Sequence, residues 1–154
     1  MPDCFISYSS NDERFAEAVH QDLSARGLSV FMARISLRPG ERWTAKVQQA
    51  LSQSTWIIFL ASKTACASPY VQQEIGAALI AQKELIPVVW EMAPSELPGW
   101  TNQVQALDIR NQTPAQIRTR IIYLAQQMKA TKDKGFLIGV ALVAGFFLLL
   151  ENSD

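Results

Sequence analysis

The chain has 154 residues, and its Lys plus Arg (14) equal its Asp plus Glu (14). No net field draws it to nucleic acid, and no basic stripe is present. Cys4, Cys66 and the single histidine, His20, fall in no metal-ligand spacing, which argues against a metal site. Two unpatterned cysteines suit a reducing compartment. The opening MPDCFISYSS has no basic-then-apolar signal region, so the folded part is expected on the cytoplasmic side.

Apolar runs alternate with helical periodicity five times along the chain. Cys4–Tyr8 is the first predicted strand. Ser10 with Glu13 reads as a capping box, Phe15, Val19 and Leu23 fall on one helix face, and Gly27 stops that helix. Leu28–Met32 is a short second strand leading into the loop ISLRPGER. A second helix stripes Trp43, Val47, Ala50 and Leu51. Trp56–Ala61 shows no alternation, as expected of a strand covered on both faces. Ser62–Ala67 reads as a loop. Ser68 as N-cap and Pro69 at the first helical position open a third helix with Val71, Ile75 and Leu79 inward. Leu85–Trp90 is the fourth strand. A long connection, Met92–Gln103, leads to Val104–Ile109, which alternates as a half-exposed fifth strand. Thr113, Pro114 and Gln116 supply cap, N1 proline and box residue for a last helix lined by Ile117, Ile121, Leu124 and Met128.

Five β-then-α units imply an α/β domain with a parallel sheet and helices on both faces. The expected order is the flavodoxin-like 2-1-3-4-5. The domain is expected over residues 1–128, followed by a short basic linker (129–134), an uncharged helix (135–150) and a tail (151–154). GFLIGVALVAGFFLLL would span about 24 Å as a helix, against a hydrocarbon core of about 30 Å. It has no polar face, which excludes a surface amphipathic helix, and a bilayer can thin to meet it while flanking lysines snorkel. Lys129, Lys132 and Lys134 precede it and only Glu151 and Asp154 follow it. That asymmetry predicts a single-pass C-terminal anchor with the domain cytoplasmic. Gly135 and Gly139 are spaced for helix contacts.

In a doubly wound sheet, ligands bind beyond the carboxyl ends of the strands where strand order reverses, here between the first and third strands. Ser9, Ser10 and Tyr70 would line that crevice. Tyr70 and Glu74 are four apart and share a helix face. Most surface carboxylates do nothing specific, so on spacing alone Glu74 reads first as a solvated helical residue. No G-x-S-x-G elbow, Walker loop or G-x-G-x-x-G run occurs.

Phe5–Asp12 (FISYSSND), Leu28–Trp43 with its Pro39-Gly40 pair, ALSQSTWIIFLAS, and SPYVQQEIGAAL stand in order at proper separations. Together they resemble the boxes of bacterial-type TIR (Toll/interleukin-1 receptor) domains, from about Asp3 to Arg110. The resemblance implies one of two activities. Enzymatic TIR domains cleave NAD at the nicotinamide–ribose bond, by hydrolysis or cyclisation, often in immune or anti-phage signalling; others only bind one another as adaptors at a membrane. It implies Glu74 as the catalytic residue, with Tyr70 where many members carry Trp. Ser9, Ser10 and Arg38 match nucleotide-contact positions, and Phe31 is either a base contact or a core residue. NAD is then a substrate and no cofactor is required. The partners implied are NAD and other TIR domains, including further copies of this chain; the apolar stretch adds the bilayer, and nucleic acid is not among the partners. A nucleoside-processing enzyme of a related flavodoxin-like family is a weaker alternative, which the Pro39-Gly40 loop opposes.

Overall fold

The computed structural model describes residues 2–35, 45–67, 76, 82–99 and 104–134. The loop ISLRPGER from residue 36 on, Trp43 of the expected second helix, the helix opened by Ser68 and Pro69, and the apolar stretch 135–150 lie outside the described residues. Among the described residues, no helix is long and apolar enough to cross a membrane.

Five parallel strands form one sheet: β1 (Cys4–Ser9), β2 (Val30–Ile35), β3 (Trp56–Leu60), β4 (Glu84–Val89) and β5 (Leu107–Asp108), in the order β2-β1-β3-β4-β5. The helices are α1 (Glu13–Ala25), α2 (Ala45–Gln53), a single turn α3 (Lys63–Cys66) and α4 (Pro114–Asp133). Every residue of β1 and β3 is buried. This explains the unbroken apolar run of β3, whose two faces each need a partner layer. Strand periodicity sorts the side chains. Cys4, Ile6 and Tyr8 join Trp56, Ile58 and Leu60 against α1 and α4, through Val19, Leu23, Ile121, Leu124 and Met128. Phe5, Ile57 and Phe59 face the other way, with Ala50 of α2 and Ala65 of α3.

Several boundaries differ from expectation for identifiable reasons. The Ser10/Glu13 capping box does not form. Residues Ser10–Asp12 make a 3₁₀ turn, and the cap position of α1 has no side-chain hydrogen bond. The second strand begins at Val30 and runs on to Ile35. The fifth strand is reduced to Leu107–Asp108, and Pro87 accounts for this. The Val88 carbonyl accepts from Ala61 N on the β3 side, and the Val89 carbonyl accepts from Ile109 N on the β5 side. Pro87, one residue before Val88, therefore turns its donorless nitrogen toward β5. Pairing on that flank begins only at Val88 opposite Leu107, consistent with a proline's lost ladder bond.

The last helix does not stop at a linker. It is capped as expected, with Gln116 N donating to Thr113 Oγ1 at 3.2 Å and Thr113 N to Gln116 Oε1 at 2.9 Å. It then continues through residues 129–133, with Thr131 buried. No helix breaker occurs before Gly135, and polarity alone does not end a helix. The far end of α4 is fastened to the amino edge of the sheet. Lys132 Nζ lies 2.8 Å from Asp3 Oδ2, and the same carboxylate oxygen accepts from Ser29 N at 2.8 Å. The Asp3 carbonyl accepts from Thr55 N and Trp56 N. Asp3 thus ties the starts of β1, β2 and β3 to the end of α4.

Gly27 ends α1 with φ +87°, and a Cβ there would meet Lys129 Cε at 3.0 Å. The lysine tip can move, whereas the backbone angle cannot be relieved. Gly27→Ala should destabilise the domain by about 1–2 kcal/mol. Gly27→Asn should cost less, read as a smaller fall in the urea midpoint at unchanged slope.

Candidate functional site

Helix placement creates the crevice. The connection leaving β1 carries α1 on one face of the sheet, while the turn leaving β3 packs on the other. The two connections therefore part at the carboxyl ends of adjacent strands, the switch point at which open α/β sheets bind their ligands.

One wall is the turn Ser9–Asp12. Ser9 is fully buried, and its Oγ donates to Asp12 Oδ2 at 2.8 Å. Its hydroxyl is therefore already engaged. Ser10, next in the turn, is exposed. Of the two expected serines, Ser10 presents its side chain to solvent and Ser9 braces the turn from beneath.

The other wall is α3, which the sequence suggested as a plain loop. Ser62 caps it, accepting from Ala65 N at 3.2 Å. The signal was legible, since a serine followed by Lys63, Thr64 and Ala65 is an ordinary helix entry. Glu91, just past β4, accepts from Lys63 N at 3.4 Å. It links the turn after β3 to the strand beyond it.

Ser7 was missed altogether. It lies on the same face of β1 as Phe5 and Ser9, is 1% exposed, and its Oγ has no hydrogen-bond partner among the described residues. A buried hydroxyl without a partner costs free energy. It sits one strand repeat below Ser9, on the side of the sheet that carries α3. Periodicity treats a strand serine as filler and gives no warning of it.

Phe31 is part-buried and stacks on Phe5, with ring centroids 5.8 Å apart. It packs against the core cluster that includes Ala33 and Phe59, so packing accounts for its described contacts. Glu74, Tyr70 and Arg38 lie outside the described residues. A separate apolar cavity of about 570 Å³ lies on the flank between α1 and α4, lined by Phe15, Val19, Ile117 and Ile121 among others. It belongs to the helical layer and not to the strand ends.

The two thiols do not offer a nucleophile. Burial, with Asp3 nearby, pushes Cys4 up to about 12, and burial with Glu91 pushes Cys66 up to about 11. Both are free and protonated at neutral pH. Among the described residues, no group of His, Cys, Asp or Glu could hold a metal ion.

The sheet has the strand order 2-1-3-4-5, and the family model of the TIR domain matches residues 4–122. The chain belongs to the TIR domain family. Two curated relatives align over its globular part. BdTIR of Brachypodium distachyon, a probable 2' cyclic ADP-D-ribose synthase, is 27% identical over 95 residues, covering 60% of this chain and 42% of that protein. ApTIR of Actinoplanes sp., an NAD(+) hydrolase, is 37% identical over 98 residues, covering 56% of this chain and 14% of that protein. The chain therefore spans less than half the length of either. The TIR domains of the activated Roq1 resistosome, which directly recognizes the pathogen effector XopQ, superpose with a TM-score of 0.66 at 17% identity, over 79% of this chain and 98% of theirs. That likeness supports the fold.

Cys66 provides a check on the described wall of this TIR crevice. Native protein should react slowly with iodoacetamide at pH 7.5. The rate should climb as pH rises toward 11, because the thiolate is the reacting form. Glu91→Gln removes one of the two causes of the raised value and should speed the reaction at fixed pH.

Proposed function

We propose that this TIR domain is an enzyme that cleaves NAD at the nicotinamide–ribose bond, with Glu74 as the carboxylate beside the ribose. The reading rests on one observation above others. Ser68, Tyr70 and Glu74 stand at the family's S-x-aromatic-x-x-x-E spacing, in a chain whose curated relatives are named for NAD hydrolysis and cyclic ADP-D-ribose synthesis.

The chemistry asks little of the protein. The leaving nicotinamide is a cationic pyridinium in NAD and departs neutral, so no general acid is needed. The ribosyl centre develops oxocarbenium character, as in glycoside cleavage. One ionised carboxylate beside it stabilises that charge and accepts from the ribose hydroxyls. Water then attacks to give ADP-ribose, or a nucleophile within the same molecule closes a cyclic product. In this reading Ser10, exposed in the turn after β1, would meet the nucleotide, and the family resemblance assigns Tyr70 to the ribose pocket and Arg38 to a nucleotide contact. NAD is consumed as substrate, and the scheme calls for no metal or cofactor.

We further propose that residues 135–150 anchor the chain in a bilayer with the TIR domain cytoplasmic. An uncharged stretch behind Lys129, Lys132 and Lys134 has the charge asymmetry of a cytoplasmic flank. Confinement to a surface raises effective concentration and promotes contact between TIR domains. An immune or anti-phage role would follow from such clustering-dependent consumption of NAD.

Nicotinamide release from NAD, followed by chromatography with the full chain on liposomes, tests the enzyme reading. Wild type should release nicotinamide, and Glu74→Ala should lose about 10²-fold or more in rate, as expected for a charge-stabilising group. Equal release by both proteins would remove Glu74 from the reaction. Release by neither would leave a TIR–TIR interaction module. Activity per molecule should also rise with surface density of the protein on the liposomes, and a flat response would exclude a role for clustering.

A further inference from the structure

The helix α4 reaches the amino edge of the sheet without a flexible joint, and this constrains how an anchored chain would sit. It runs from Thr113, at the carboxyl edge, to Asp133, at the amino edge. Twenty residues at 1.5 Å each make it about 30 Å long. The residues that might have formed a swivel are instead helical and tied down. Lys132 is held by Asp3, Lys132 Nζ lies 3.5 Å from the Gly27 carbonyl, and Lys129 pairs with Asp133 at 3.0 Å. The uncharged stretch begins at residue 135, immediately after the helix-capping Lys134.

The charges at this end point the same way. Arg26, Lys129, Lys132 and Lys134 surround the meeting point of α1 and α4, opposed by Asp3 and Asp133. Lys83 and Glu84 open β4 at the same edge and cancel. The C-termini of α1, α2 and α4 all fall here and bring partial negative charge, which the surplus of cations offsets. Basic groups beside a membrane-entering segment are drawn to anionic headgroups.

We infer that the amino edge of the sheet, around Asp3, Gly27 and Lys132, is the surface that faces the bilayer, and that α4 is a rigid strut holding the crevice at the opposite edge, turned toward the cytoplasm. The inference rests on the anchor reading above. It adds an orientation: every copy would stand with its strands along the membrane normal and its open crevice uppermost, free to be met from the side by a neighbour and from above by a soluble nucleotide.

Contact quenching by headgroup spin-labelled lipid tests this on the full chain in phosphatidylcholine–phosphatidylserine liposomes. In a Cys66→Ala background, a fluorophore is attached through Ala25→Cys at the amino edge or Ser95→Cys beyond β4. Both positions are exposed, and the strands separate the two edges by about 20 Å. Flotation of the liposomes reports the anchor independently. The expected result is co-flotation, quenching of the label at 25 and none at 95. A Gly/Ser insertion between Lys134 and Gly135 should keep co-flotation and abolish quenching at 25. Protein that fails to float refutes the anchor reading, and this inference with it. Protein that floats but is quenched equally at both positions, or only at 95, overturns the orientation alone. Undiminished quenching at 25 after the insertion would show that α4 does not set it.

Discussion

The parallel pairing of β1 with β3 is the constraint on which the molecule is built. Both strands are buried throughout, so each demands a covered layer above and below the sheet. Once they are neighbours, the helix after β1 packs on one face and the turn after β3 on the other. Strand order reverses between them, and a cleft opens at their carboxyl ends. The serine-rich turn after β1 and the Ser62-capped turn after β3 follow directly where these two buried strands end, and Ser10 in the first of them is exposed. The crevice is thus a consequence of core packing, and no separate scaffold is needed to make it.

Burial also decides which of the crevice residues can act. Ser9 and Ser10 look alike in sequence, yet of these two adjacent residues the first has a fully buried hydroxyl held by Asp12 and the second is exposed. Ser7, one strand repeat before Ser9, carries a hydroxyl with no partner among the described residues, in a strand where an alanine or valine would pack without that cost. Natural sequences keep such a group where something outweighs its desolvation. Its place beneath the crevice makes it the residue whose retention packing explains least.

Much of this was legible in the residues. The apolar runs of β1, β3 and β4, the Gly27 stop and the Thr113-Pro114-Gln116 entry each carry a local signal strong enough to survive tertiary context, and each appears within about a residue of where the periodicity puts it. The failures are of a different kind. Pro87 was read inside a strand, but its effect falls on the neighbouring strand, which one-dimensional pattern cannot register. In place of the Ser10/Glu13 box, the bond that forms runs from Ser9 to Asp12, the same Ser-x-x-acid spacing one residue earlier. Lys129–Lys134 looks like a linker because it is polar, although a run without Gly or Pro behind Met128 holds no helix breaker. Phe31 was open between core and ligand contact, and only the position of Phe5 across the β1–β2 pair shows what it stacks on.

The two edges of the sheet therefore do different work with different economies of bonding. At the carboxyl edge the backbone turns away in opposite directions, side chains are small or polar, and Ser10 is left open to solvent. At the amino edge Asp3 gathers the starts of β1, β2 and β3, and its side chain binds the last turn of α4. Under the proposed function a nucleotide enters at one end, and such a domain gains from having its remaining freedom removed at the other, since motion of β1 relative to β3 would distort both crevice walls together. A change at Asp3 would thus be felt at the far end of the strands, transmitted through their rigid, fully buried pairing and not through any contact with substrate.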